Sequence, residues 1–191
     1  MSTLTGKRVA ILATDGVEEV ELTRPRKAVE DAGATTEIVS ISDDAIQAMN
    51  SDIVPAGTYP VDKVASKVSA DDYDALLMPG GTVNADRLRM DADVLTFVKD
   101  VFAAGKPVGV ICHGPWTLVE ADLVRGRTLT SFPSLRTDIR NAGGTVVDEE
   151  VVTDKGLVSS RNPDDLPAFC AKVVEEFAEG THEMHDEGAT S

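Results

Sequence analysis

Aromatic residues make up only 4% of this 191-residue chain, against 42% hydrophobic residues in all, so whatever core it forms is aliphatic. Long apolar runs are missing too: one of the longest, residues 108–112, falls far short of the ~20 residues a membrane helix needs. The opening MSTLTGKRV has no apolar segment followed by a small-residue cleavage site, so the expected location is cytoplasmic. There are two cysteines, Cys112 and Cys170, too few for a disulfide framework and, without an export signal, not expected to pair. Cationic residues are scarce, 18 Lys and Arg against 33 Asp and Glu, which leaves a formal charge of −15. That balance argues against a general affinity for nucleic acid or an anionic membrane, both of which need a positive surface. No repeat and no linker divides the chain, so residues 1–179 are read as one domain and residues 180–191 as a disordered acidic tail, poor in apolar groups.

What is present is an alternation of short aliphatic runs and helical periods. Residues 7–13, 36–41, 74–78, 108–112, 127–131, 145–147 and 157–160 read as strands. Between them, residues 17–32, 93–104, 115–122, 134–141 and 165–179 read as helices, the first interrupted by Pro25. Cys170 falls on the apolar face of the last helix and reads as core packing. Residues 42–70 are polar and without sustained period, with residues 60–64 as a candidate hairpin arm. Strands alternating with helices predict an α/β fold, a doubly wound and mostly parallel sheet sandwiched by helices.

The chemistry is concentrated in PVGVICHGPW, residues 107–116. An apolar strand ends at Cys112, and His113, Gly114 and Pro115 follow at once, with Gly suited to a close turn and Pro to a helix's first turn. This is a nucleophile elbow, a strand turning sharply into a helix and lifting one side chain off the sheet's carboxyl edge. A helix N-terminus beneath a thiol is expected to favour its anion, bringing a free-cysteine pKa of ~8.5 to roughly 3.5–7.5.

Ligands of open α/β sheets sit beyond the carboxyl ends of the strands, so the turns after residues 13, 78 and 112 should converge. They carry Glu18, Glu19 and Glu21; Gly80 and Gly81; and Cys112 with His113. The backbone N–H groups of Gly81 and His113 are candidates for an oxyanion site. Crowded carboxylates repel, so one should have a raised pKa, and Glu21, one helical turn past Glu18, is the preferred partner of the thiol. His113 is a candidate base, with simple packing as the competing reading. His182 and His185 are spaced to share a helical face, but lie in a polar tail with no third ligand placed by a fold, so neither a metal nor a cofactor is expected.

Several strings, ICHGPW (111–116), MPGG (78–81), VEEVEL (17–22) and RNPDDLP (161–167), resemble in order the PfpI family, part of the class I glutamine-amidotransferase-like superfamily. The resemblance spans residues 7–179. It implies a flavodoxin-like sandwich, a homodimer or a homohexamer of dimers, an elbow bearing Cys112 and His113, and a glutamate touching the thiol that falls on Glu21 with Glu18 close by. It also implies an acid from a neighbouring subunit that orients the histidine, at the position of Asp86. Family members are described as intracellular peptidases, glutathione-independent glyoxalases and deglycases. Where relatives carry a Tyr or His near the cysteine this chain has Phe132, which moves no proton, so the burden shifts to His113 and Glu21.

The expected function is thus a cysteine-dependent, stress-response enzyme acting on small reactive carbonyls or their protein adducts. A peptidase using the same thiol on a peptide substrate is the first alternative. A non-enzymatic redox sensor or chaperone using the oxidisable Cys112 is the second.

Overall fold

A computed structural model describes residues 3–182. The first half runs β1 (Arg8–Leu12), α1 (Glu19–Asp31), β2 (Thr35–Ser40), β3 (Ile46–Asn50), β4 (Val54–Tyr59), β5 (Lys63–Val64), β6 (Ala75–Met78), α2 (Thr82–Arg89) and α3 (Ala92–Ala103). The second half runs β7 (Val108–Ile111), α4 (Pro115–Glu120), β8 (Thr128–Leu129), α5 (Arg136–Asn141), β9 (Thr145–Val146), β10 (Val152–Asp154), β11 (Leu157–Ser160) and α6 (Leu166–Glu179).

Seven strands form one sheet in the order β10-β11-β7-β6-β1-β2-β5, all neighbours parallel except the β10/β11 pair. The central strands are buried on both faces, which is why they read as continuous aliphatic runs rather than as alternation. Ala10, Leu12, Leu76, Met78, Val108 and Val110 face α3, α4 and α5 in one core cluster. Val9, Ile11, Ala75, Leu77 and Ile111 face α1 and α6 in the other, against Leu22, Val29, Phe169, Val173 and Phe177. Gly109 lets the second layer close: a Cβ there would stand 2.7 Å from Val173 Cγ2 and 3.2 Å from Phe169. Adjacent placement of β1, β6 and β7 brings their carboxyl-end turns side by side, as the sheet rule requires.

The structure departs from the sequence reading in four places. Residues 60–64 are not a hairpin arm: Lys63–Val64 extends the sheet edge parallel to β2, and the hairpin lies upstream, β3 with β4. That hairpin is held by the turn after β1, Gly16 N–H donating to Gln47 O and Met49 N–H to Val17 O, so its stability is tertiary and leaves little local pattern. The first helix continues through a buried Pro25, which forfeits only the bond its N–H would have given the carbonyl of Glu21. Helix α2 was unforeseen, since only Asn84, Ala85 and Leu88 of its residues are buried. Finally, residues 180–182 lie against the body, with His182 N–H donating to Gly105 O at 2.8 Å, so the expected disordered tail does not begin at residue 180. Residues 183–191, His185 among them, lie outside the described residues. No helix among the described residues is long and apolar enough to cross a membrane.

Candidate active site

The elbow forms where β7 ends. Cys112 has φ +62°, a left-handed conformation that costs a non-glycine residue roughly 1–3 kcal/mol and must be held by its surroundings. Cys112 N–H donates to Ser160 O at 3.1 Å, Phe132 N–H donates to Cys112 O at 2.9 Å, and Gly114 N–H closes back on Ile111 O at 3.0 Å. Gly114 is required by space: a Cβ would sit 2.7 Å from Val110 Cγ2 and 2.9 Å from Met78 O. Pro115 then opens α4.

Cys112 is 7% exposed and lines a cavity of about 310 Å³ with Glu18, Glu21, Asp52, His113 and Phe132. The three clustered carboxylates separate cleanly by task. Glu19 accepts from Gly57 N–H at 2.8 Å and Tyr59 O–H at 2.7 Å, tying the β3–β4 hairpin to α1. Glu18 accepts from Ser51 and Asp52 N–H at 3.1 and 3.3 Å, shaping the hairpin's tip at the cavity wall. Glu21 is the one set beside the sulfur: it is 1% exposed, its Oε2 accepts from Gly80 N–H at 2.8 Å, and its buried Oε1 has no hydrogen-bond partner. Gly80 has no room for a side chain here, since a Cβ would meet Glu21 Oε2 at 2.5 Å and Cys112 Cβ at 2.7 Å. The N–H groups of Gly81 and His113, the expected oxyanion pair, both point at Sγ. Gly81 has φ +92°, and a Cβ there would run into the carbonyl of Gly16.

His113 turns its ring back onto the sulfur, Nδ1 to Sγ 3.1 Å, so adjacency on the elbow does not carry the side chain away. Nε2 lies 3.3 Å from Thr82 Oγ1 and 3.4 Å from Ser134 Oγ. Thr82 donates its hydroxyl hydrogen to Asp52 Oδ2 at 2.8 Å and its N–H to Oδ1 at 2.8 Å. With that hydrogen engaged, Thr82 can only accept from the ring, which places a proton on Nε2 and leaves Nδ1 to accept from the thiol. Phe132 stacks on the ring at 4.5 Å and 27°, and Trp116 meets it edge-on at 5.4 Å. The residue that departs from the resemblance thus walls the imidazole instead of sharing protons with it.

Asp52, Thr82 and Ser134 were missed by sequence reasoning. Asn50-Ser51-Asp52 between two strands is turn chemistry, with Ser51 and Asp52 at φ +53° and +64°, and was the available signal. Asp86, by contrast, sits on the exposed side of α2; among the described residues Thr82 and Ser134 are the ones whose side chains come within hydrogen-bond reach of His113 Nε2.

Burial pushes the Glu21 carboxyl up to about 8, Glu18 and Asp52 adding to the rise and the Gly80 N–H opposing it. Burial also pushes the Cys112 thiol up, the charge of an ionised Glu21 adding, with the N–H groups of Gly81 and His113 opposing. The expectation that the elbow alone depresses the thiol is therefore corrected. A helix of six residues does not outweigh removal from water and an adjacent carboxylate. Burial lowers His113, against the pull of Asp52, so the imidazole is neutral when unengaged. Glu21 and Cys112 are coupled, because ionising one makes ionising the other harder.

The chain is similar to known proteins over most of its length. Residues 7–176 match the DJ-1/PfpI family. The chain is 43% identical over 164 residues to protein/nucleic acid deglycase 2 of Escherichia coli strain K12, covering 85% of this chain and 93% of that one. It is 42% identical over 163 residues to a Bacillus subtilis strain 168 protein named "Putative cysteine protease YraA", covering 85% and 94%. Drosophila melanogaster DJ-1beta shares the fold, with a TM-score of 0.81, 25% identity and 90% of each chain covered.

Proposed function

Because the chain belongs to the DJ-1/PfpI family, we propose that it is a cysteine-dependent enzyme of stress defence that acts on small reactive carbonyls or the adducts they form on proteins. The observation that carries this reading is one sulfur, Cys112 Sγ, met at once by a buried carboxyl, two backbone N–H groups and an imidazole at the wall of a small cavity.

For a 2-oxoaldehyde the sequence of steps balances without an outside oxidant. The Cys112 proton passes to Nδ1 of His113 as Sγ adds to the aldehyde carbon. The new alkoxide takes its place at the N–H groups of Gly81 and His113 and receives a proton from Glu21, giving a hemithioacetal. Glu21, now a carboxylate, removes the hydrogen on that carbon to give an enediol, in which the oxygen of the second carbon gains a proton; the second carbon is then protonated as the first carbon's hydroxyl gives up its own. The first carbon is thereby oxidised to a thioester and the second reduced to an alcohol. Water hydrolyses the thioester, releasing a 2-hydroxy acid and the thiol. Glu21 suits the acid's part because at about 8 it is protonated at neutral pH.

A peptidase reading rests on the relative that bears that name. An amide is a much poorer electrophile than an aldehyde, and about 310 Å³ is at the small end of ligand sites, so the carbonyl reading is preferred. The proposed setting is cytoplasmic, as a homodimer or homohexamer, with Asp86 on the exposed side of α2 as the residue offered to a neighbouring copy. Incubation with methylglyoxal, following lactate, tests the reading: wild type should turn over and Cys112→Ser should not. Equal turnover by both, or none by either, contradicts it.

A further inference from the structure

The end of the described chain folds back onto the body at a place the catalytic reading does not use. Helix α6 ends at Glu179, and Gly180 at φ +86° turns the chain so that His182 comes to lie over two glycines. Its N–H is held by Gly105 O at 2.8 Å, and its ring lies against Gly156, where a Cβ would stand 2.7 Å from Cδ2. Glu176, Glu179 and His182 are thereby gathered so that one ligand atom of each lies within 4.8 Å of the others.

Glu176 is the informative member. It is 7% exposed, and its Oε2 has no hydrogen-bond partner. His182 Nε2 lies 3.2 Å away, yet it too makes no hydrogen bond, so the two atoms are close without being aimed at each other. Two ligands on a tetrahedral zinc, with metal bonds of about 2.0–2.2 Å, stand roughly 3.3 Å apart. The 3.2 Å separation is that edge. Glu179 is exposed and can swing to complete a third position, leaving the fourth to water. Lys172, one helical turn before Glu176, pairs instead with Glu175 at 2.8 Å. A divalent cation would supply the partner that Glu176 Oε2 lacks.

We propose that Glu176, Glu179 and His182 form a binding site for a zinc-type divalent cation that locks the turn after α6, where His182 lies on Gly105 and Gly156. The donor set is one imidazole and two carboxylates, which suits zinc better than the all-oxygen sites of calcium or magnesium. The role is structural: the three ligands span the turn that ends α6, so the metal fixes His182 where it lies on Gly105 and Gly156 and stabilises the folded chain by binding it more tightly than the unfolded one.

The test uses the full chain carrying Cys112→Ser, so that the thiol site cannot compete. Equilibrium dialysis against zinc should find one site, and zinc should raise the melting temperature. Adding His182→Ala, at the surface end of the cluster, should weaken binding by at least ~10-fold, the scale seen when even an outer partner of a metal ligand is lost, and abolish the thermal shift. Glu176→Gln should do the same. The proposal is overturned if the Cys112→Ser chain binds no zinc, or if His182→Ala leaves both affinity and thermal shift intact. An ordinary His182–Glu176 ion pair predicts the first of those outcomes. Neither outcome bears on the carbonyl chemistry, which is assayed separately.

Discussion

A carboxyl group held at about 8 beside a buried sulfur is a device for keeping a proton where a reaction needs one. If Glu21 supplies the proton that quenches the alkoxide, activity requires its acid form. The rate should then be sustained at neutral pH and fall as pH rises through about 8, a limb that Glu21→Gln removes along with most turnover. The same group leaves a mark on stability. Its folded pKa lies above its ordinary value of 4.5, so the stability it contributes is complete below 4.5 and is lost as pH rises through about 8. In Cys112→Ser, where no thiol shares the titration, the loss should reach roughly 3–5 kcal/mol between those limits, and Cys112→Ser/Glu21→Gln should lack it. Denaturant melts at a series of pH values measure the difference. Further out, Asp52 and Thr82 hold the His113 ring rather than touch substrate. Thr82→Val should lower kcat by about tenfold with KM little changed, a split that a merely structural loss would not produce.

At the scale of elements, the elbow and the two turns beside it work only because of where their glycines fall. Gly114→Ala adds a Cβ against Val110 and the carbonyl of Met78, and overpacking of that kind costs about 1–3 kcal/mol. Thermal or denaturant unfolding should show that loss, together with a fall in activity as the Cys112 turn shifts. The elements themselves were legible in unequal measure. β1, β6, β7 and β11 read off the chain because strands buried on both faces must be aliphatic throughout. The β3–β4 hairpin did not, since its hold comes from the turn after β1 and from Glu19, contacts that leave no period in the sequence. Glu21 was readable as the thiol's partner from helical spacing, whereas the division of labour among Glu18, Glu19 and Glu21 depended on where that hairpin lies.

Across the whole molecule, a parallel sheet places three turns side by side, and this alone converts a scattered set of residues into a site. That convergence was predictable from the order of strands and helices. The state of the thiol was not, because it depends on burial and on a coupled acid, neither of which a motif records. The −15 charge spread over the chain offers a further check on the metal inference. If zinc acts by closing the α6 end, magnesium at equal ionic strength should not reproduce its thermal shift, whereas general screening of acidic repulsion would.

The central claim is that Glu21 stands beside Cys112 as a protonated acid at neutral pH and becomes a carboxylate at about 8, before the thiol titrates. The most direct test is the apparent pKa of Cys112, measured by pH-dependent alkylation in wild type and in Glu21→Gln. Glu21 ionises before the thiol does and its charge then opposes the thiolate, so the account predicts that Glu21→Gln lowers the apparent pKa of Cys112. An unchanged or raised value would mean that Glu21 places no charge beside the sulfur when the thiol titrates, and would contradict the account.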